Sequence, residues 1–272
     1  MRMEKGMNMT RLSLNELQTV SKEVRKDILR MIYEAGSGHP GGSLSSVELL
    51  VSLYFEVLGE GDHFFLSNGH ICPALYSVMA EKGLIDKKLL SSYAKFGSAL
   101  QGHPERTKLR GIENTSGPLG LGLAQAAGYA AGLRIDSKGG FIFCMTSDGE
   151  HDEGNHWEAV SFAAKYKLSN LIQIVDCNKI QIEGTTEEIM PLGDLRKRYE
   201  SYNWNVIEID GHNFDEIFEA IRKAKSHSAG SSVIIANTTF GKGVSFMEGN
   251  PDWHAKAPNE EEFKKAMEEL ER

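Results

Sequence analysis

Phe141-Ile142-Phe143-Cys144-Met145, leading into Ser147-Asp148-Gly149-Glu150, and Leu171-Ile172-Gln173-Ile174-Val175, leading into Asp176-Cys177-Asn178-Lys179-Ile180, decide the fold. Each is an apolar run of strand length that delivers polar residues at its carboxyl end. Strands near 141–146, 171–175, 205–209 and 232–236 alternate with helices near 154–167 and 214–226, the alternation of a parallel sheet flanked by helices on both faces. Open α/β sheets bind ligands at the carboxyl ends of their strands. Asp148 brings a carboxylate there, Asn178 an amide oxygen, and the turns add backbone carbonyls. These hard oxygen ligands suit Mg2+ or Ca2+, which leave positions open for the oxygens of a phosphorylated cofactor. The pair therefore points to a metal-diphosphate site.

Upstream, Ser13-x-x-Glu16 is a capping box, and Leu17, Val20, Val24, Ile28 and Met31 recur at helical spacing, so a helix is expected over 13–35, ending at Gly36. Residues 43–58 read as a second, more apolar helix, 64–66 as a short strand ending in Ser67-Asn68-Gly69-His70, and 71–82 and 86–96 as helices. From Gly120 to Arg134, Ala and Gly recur at helical intervals, describing a helix slim enough to approach a sheet closely, with its N-terminus at the Gly117-Pro118-Leu119-Gly120 turn. Asn259–Arg272 reads as a charged tail helix and the Met-rich residues 1–9 as a frayed start. No linker, repeat or low-complexity tract intervenes. Residues 1–272 are therefore expected to form a single domain with N-terminal helices and a short C-terminal helix.

With 272 residues, 40% of them hydrophobic and 25% charged, the composition is that of an ordinary globular protein. A net charge of -8 and scattered basic residues argue against a nucleic-acid surface. No long apolar run and no signal-peptide pattern occur, so no membrane association and a cytoplasmic location are expected. Cys72, Cys144 and Cys177 lack metal-like spacing and mostly sit in apolar runs, which is the pattern of buried reduced thiols.

Asp-Gly alone is a common turn. Four further segments occur with it: Ser37-Gly38-His39-Pro40-Gly41-Gly42, Leu66-Ser67-Asn68-Gly69-His70, Gly102-His103-Pro104-Glu105 and Gly117-Pro118-Leu119-Gly120-Leu121-Gly122. Together and in this order they resemble the transketolase family, over roughly residues 12–258. In that family a Gly-Asp-Gly turn and a downstream Asn hold the metal that bridges the diphosphate of thiamine diphosphate; Ser147 replaces the first Gly here. The resemblance implies a thiamine diphosphate-binding fold. It implies a metal (Mg2+ or Ca2+) held by Asp148, Asn178 and the backbone carbonyl of Ile180, and a cofactor held by Gly117, Leu119, Gly149, Glu150, His70, Asn178 and His254. Leu119 is expected against the cofactor ring. The Gly149 amide and the helix after it would add positive dipole beside the diphosphate.

Of nine histidines, His39, His70 and His103 stand inside the segments above, and His254 in Trp253-His254 after Gly241-Lys242-Gly243-Val244, where the family's corresponding loop brings a His to the cofactor. Imidazole exchanges protons near neutral pH, which suits chemistry on sugar hydroxyls. By resemblance, His70 and His254 contact the diphosphate or the reacting carbons, and His39 and His103 the donor hydroxyls. Glu153 and Glu158 match acidic positions at the family's subunit interface and are candidates for a buried carboxylate linking two active sites. His63, His212 and His227 read as structural. His151 and His156 are not at the spacing of a helical zinc pair and lack a third ligand, so zinc is not expected.

The resemblance stops short of the pyrimidine-binding domain, whose Glu activates the cofactor, and of the Arg set that clamps the sugar's phosphate. It implies the N-terminal subunit of a split transketolase, moving a two-carbon ketol unit from a ketose phosphate to an aldose phosphate. The partner would be a C-terminal subunit carrying the pyrimidine-binding domain, in a homodimer or a two-plus-two heterotetramer. A subunit of a 1-deoxyxylulose-5-phosphate synthase-like enzyme, a transketolase for unusual sugars, and a non-catalytic cofactor-binding module are the alternatives. A nicotinamide dehydrogenase is rejected, because the Gly117–Gly122 turn follows no apolar strand.

Overall fold

The structure, a computed structural model, describes residues 12–272. The expectation for residues 1–9 lies outside the described residues. The strands are β1 His63–Leu66, β2 Ile142–Ser147, β3 Leu171–Cys177, β4 Ile180–Gln181, β5 Gly184–Thr185, β6 Asn205–Asp210 and β7 Ser232–Asn237. β4 and β5 form a small antiparallel hairpin; the others make one five-stranded sheet in the order β1-β2-β3-β7-β6, with every neighbouring pair parallel. The register aligns Ser147 with Asp176 and Asp176 with Ala236, so the carboxyl ends of β2, β3 and β7 stand side by side.

Successive side chains of a strand point to opposite faces, and this sheet buries both. Phe143 and Met145 of β2 join a core built with helices Leu14–Ala35, Cys72–Glu81, Phe214–Ser226 and Glu260–Glu271. Ile142 and Cys144 join the opposite core, with Leu121–Ile135, Gly154–Tyr166 and Leu195–Ser201. Two-sided burial is why these strands read as unbroken apolar runs. Gly122 in helix Leu121–Ile135 shows the close approach: a Cβ there would lie 2.5 Å or less from Ser67 at the end of β1. The first helix keeps its Ser13-Glu16 capping box and ends on Gly36 in the left-handed region at φ 63.

Three expectations need correction. Residues 43–58 are not one helix. Helix begins earlier, at Pro40, breaks at Ser46, resumes over Val47–Ser52 and widens into a π-turn over Leu53–Val57. The Ser46 hydroxyl bonds the carbonyls of Gly42 and Ser43 at 3.2 and 3.3 Å, competing with the helical ladder, and Pro40 presets the first turn. Residues 86–96 hold only a 3-10 segment, Lys87–Ser92, where the Ser91 and Ser92 hydroxyls return to carbonyls three residues back. The span between Asn178 and the 205–209 strand, left without elements, contains the β4–β5 hairpin and the helices Thr186–Ile189 and Leu195–Ser201.

Candidate functional site

A cleft of about 440 Å³ opens at the carboxyl ends of β2 and β3, within the range of small-molecule sites. Ser147, Gly149, Asn178 and Ile180 line it, with Gly117, Leu119, His39, His70, His103 and His254. Asp148 lies just beneath, 1% exposed, in the turn between two lining residues. Its carboxylate accepts from the Gly149 N–H at 2.8 Å and the Lys179 N–H at 2.6 Å. Burial pushes its pKa up to about 7, and the neighbouring Asp176 adds to the rise.

Neither Asp148 nor Asp176, itself fully buried, has a Lys or Arg ion pair among the described residues. Two buried carboxylates without a counter-charge are what a bound cation would offset. Among the described residues no three His, Cys, Asp or Glu side chains converge on a metal position. A cation here would take mixed oxygen ligands, and Mg2+ commonly does so with one or two carboxylates plus phosphate oxygens. The residues present fit such a group.

A second carboxylate ties the loops together. Glu150, with no exposed surface, accepts from the Ser67 hydroxyl, the Gly120 N–H and the Ser147 N–H. Ser67 in turn accepts from the Gly122 N–H at 3.0 Å. The turn carrying Leu119 is thereby fixed to the ends of β1 and β2. Burial raises the Glu150 carboxyl to about 7.

Four imidazoles occupy the remaining wall. His39 precedes helix Pro40–Ser45, His70 sits in the 3-10 turn after β1, and His254 follows the 3-10 turn Pro251–Trp253. His103 lies on a loop at the mouth, where Ser116 N–H bonds the Pro104 carbonyl at 3.2 Å and draws Gly117 beneath it. Ring centroids of His39 lie 5.3, 6.2 and 5.6 Å from those of His70, His103 and His254. Desolvation, with repulsion from His254 and His103, lowers the His39 pKa to about 4; desolvation lowers the other three. All four are neutral at pH 7, each ring able to donate through one nitrogen and accept through the other. Nδ1 of His39 and of His254 is buried with no protein partner.

Other expected residues fall elsewhere. Glu153 is exposed on the rim of the cleft; Glu158 is exposed and absent from its lining. Within the turn itself the buried carboxylates are Asp148 and Glu150. Cys72 and Cys144 are buried, whereas Cys177 is only half-buried. His212 is structural: Nε2 accepts from Thr239 N–H at 2.8 Å, so Nδ1 donates to Glu48 at 2.9 Å. His63 pairs with Glu113 and Tyr129.

His151 and His156 meet at the Tyr199 hydroxyl, 2.8 Å from each Nε2. Tyr199 also reaches Gln173, and the His151 Nδ1 donates to the Ser147 and Asp148 carbonyls, buttressing the Asp148 turn from behind. Sequence reasoning missed this cluster, because Tyr199 is remote in the chain. It also missed Gln181, Ile182, Glu183 and Ile189 of the hairpin region, which line the cleft. Ile182 is 71% exposed, and no sequence pattern marks it.

The sheet order and the cleft define a parallel α/β domain with a pocket at its polar strand ends. Residues 17–271 match the model of the transketolase thiamine diphosphate binding domain, and the chain belongs to that family. It is 35% identical to one of the subunits of the apulose-4-phosphate transketolase of Phocaeicola vulgatus, over 95% of each chain. It is 40% identical to the 6-deoxy-6-sulfo-D-fructose transketolase subunit SqwG of a Clostridium species, over 94% of this chain and 97% of that one. Human transketolase is 34% identical, over 89% of this chain but 40% of its own. The transketolase structure from Campylobacter jejuni superposes with a TM-score of 0.88 at 31% identity, over 96% of this chain and 43% of that one. The chain thus spans about two-fifths of these longer transketolases and nearly all of the two subunits.

Proposed function

We propose that this chain is the diphosphate-anchoring subunit of a two-subunit transketolase, moving a two-carbon ketol unit from a ketose phosphate to an aldose phosphate. The observation that carries the reading is the convergence, in one cleft, of the Asp148–Asn178 turn pair with four neutral imidazoles. Thiamine diphosphate, when bound, supplies the carbon centre that takes up and releases the two-carbon unit. Asp148, Asn178 and the Ile180 carbonyl hold Mg2+ or Ca2+; the Gly149 amide and the Gly117–Gly120 turn hold the diphosphate side; Leu119 packs on the ring. His70 and His254 sit toward the reacting carbons. His39 and His103 orient the donor hydroxyls and pass protons to and from them.

The cleft lining contains Asp152, Glu153 and Glu183 and no Lys or Arg among the described residues. The anionic end of the sugar is therefore assigned to the partner, which also brings the activating Glu. Because this chain does not read that end, donors such as those named for its two subunit-length relatives remain open to it. Glu153 and Glu158 would face a second subunit in the assembled enzyme.

The test is to assay ketol transfer by the chain alone and after mixing with a separately produced pyrimidine-domain subunit. Transfer is expected only in the mixture. Turnover by the chain alone equal to that of the mixture overturns the two-subunit reading.

A further inference from the structure

Asp176 is fully buried close to the cleft, yet it does not line it. Its Oδ2 accepts from the Ser45 hydroxyl at 2.6 Å and from the Asn178 amide Nδ2 at 3.2 Å; its Oδ1 accepts from the Thr238 hydroxyl. The same Nδ2 lies 3.3 Å from the Ser45 oxygen, so one amide N–H is shared between Ser45 and Asp176. That amide is thereby held with its nitrogen on the Asp176 side. Its Oδ1 is turned the other way, accepts the Ile180 N–H at 3.1 Å, and keeps a free lone pair at the cleft. An asparagine side chain has nearly the same shape with oxygen and nitrogen exchanged, and only its partners decide which atom faces a ligand. Flipped, Asn178 would present an NH2 group to a cation.

We propose that Asp176 is a positioning residue, which with Ser45 locks the Asn178 amide so that its oxygen rather than its nitrogen meets the metal. The inference rests on the reading of Asn178 as a metal ligand given above. Asp176 is suited to the task by register: it stands on β3 opposite Ser147 of β2 and Ala236 of β7, so it reaches Thr238 just past β7 as well as Ser45 in the helix that follows His39. Its carboxylate thereby joins the metal turn to the segment carrying one of the four histidines. A carboxylate accepts on both oxygens at once. A carboxamide at 176 would accept on one only, and in one of its two orientations would set an NH2 against that of Asn178.

The experiment titrates Mg2+ into the reconstituted two-subunit enzyme at saturating thiamine diphosphate, reading cofactor binding by calorimetry rather than turnover. Asp176→Ala is expected to raise the half-saturating Mg2+ concentration about tenfold or more, with higher Mg2+ restoring cofactor binding. Asp176→Asn should fall between it and the parent. Ser45→Ala, which removes one of the two acceptors, should raise it roughly threefold, and it decides the matter if Asp176→Ala does not fold. A lowered thermal midpoint with half-saturating Mg2+ within about twofold of the parent, in Asp176→Ala or Ser45→Ala, overturns the inference and leaves the metal site standing. Absence of Mg2+-dependent cofactor binding in the parent enzyme overturns the reading beneath it as well.

Discussion

Gly41, in the His39-Pro40-Gly41-Gly42 segment, is the position where one added methyl should disturb the site most cleanly. A Cβ on Gly41 would lie 2.7 Å from Cε2 of Phe240 and nearer still to Cζ and Cε1, whereas carbon atoms settle at about 3.5–4.0 Å. Phe240 cannot swing aside: it is 1% exposed, its ring is stacked on His254 with centroids 6.1 Å apart, and the Gly241 N–H next to it bonds the Gly41 carbonyl at 2.9 Å. Overpacking a rigid core costs roughly 1–3 kcal/mol, and this overlap belongs at the upper end. Replacing glycine by alanine within a helix returns about 1 kcal/mol. Gly41→Ala should therefore destabilise the fold by about 2 kcal/mol, lowering the melting temperature by roughly 4–8 °C. Phe240→Leu removes the obstructing ring edge, so in that background Gly41→Ala should be neutral or stabilising, a coupling of about 2 kcal/mol by double-mutant cycle. Urea unfolding of the four proteins measures it. An equal effect of Gly41→Ala in both backgrounds, or none in the parent, would refute the reasoning.

Three further outcomes are expected. Asp148→Ala in the reconstituted enzyme should weaken metal-dependent cofactor binding by about 2 kcal/mol or more, the scale of truncating a charged contact; calorimetric titration with unchanged affinity would remove Asp148 from the metal site. His103→Ala should lower kcat/KM for the ketose donor about a hundredfold, roughly 2.7 kcal/mol in the transition state, with cofactor affinity nearly unchanged; a loss of cofactor affinity with normal donor kinetics would assign it to the other ligand. Stability of the metal-free chain should rise toward pH 6.5, because His39 and His151, lowered from 6.5 to about 4, and His70 and His156, pushed well down by burial, bind protons in the unfolded chain that the fold refuses, outnumbering over that window the raised carboxyls of Asp148 and Glu150, which act in the opposite sense from about pH 4. Above that it should decline through pH 7, because Asp148 and Glu150, raised to about 7, hold protons in the fold that the unfolded chain has released. Mg2+ with thiamine diphosphate should abolish the decline, and urea midpoints that fall steadily from pH 4 to 8 would contradict the assignment.

The parallel sheet and the polar strand ends were legible because two-sided burial forces apolar runs, and because Asp148 and Asn178 directly follow such runs. The four histidines were legible only through the family segments around them; nothing local tells that rings numbered 39, 70, 103 and 254 approach within about 6 Å. What escaped was side chain-to-side chain bonding across the chain. Asp176 sits two residues before Asn178, yet its partners Ser45 and Thr238 come from distant segments. Glu150 looks like any solvated acid after an Asp-Gly turn until Ser67 and Gly120 close over it. The hairpin Ile180–Thr185 has two residues per strand, too few for any period to register.

The two halves of the cleft are made from different kinds of chain. The anchoring half is strand termini and backbone amides, welded to both cores through Glu150, Asp176 and the Tyr199 cluster. The half lined by the imidazoles is side chains on separate loops, each pinned by its own neighbours: His39 by Pro40, His103 by the next residue, Pro104, whose carbonyl accepts from Ser116 N–H, and His254 by its own N–H to the Pro251 carbonyl. Divergence and engineering can therefore act on them independently. On the proposed function, exchanging a loop that carries one imidazole would retune which carbohydrate is accepted without touching the elements that keep the prosthetic group in place, whereas a change at the strand ends would be felt by every substrate alike.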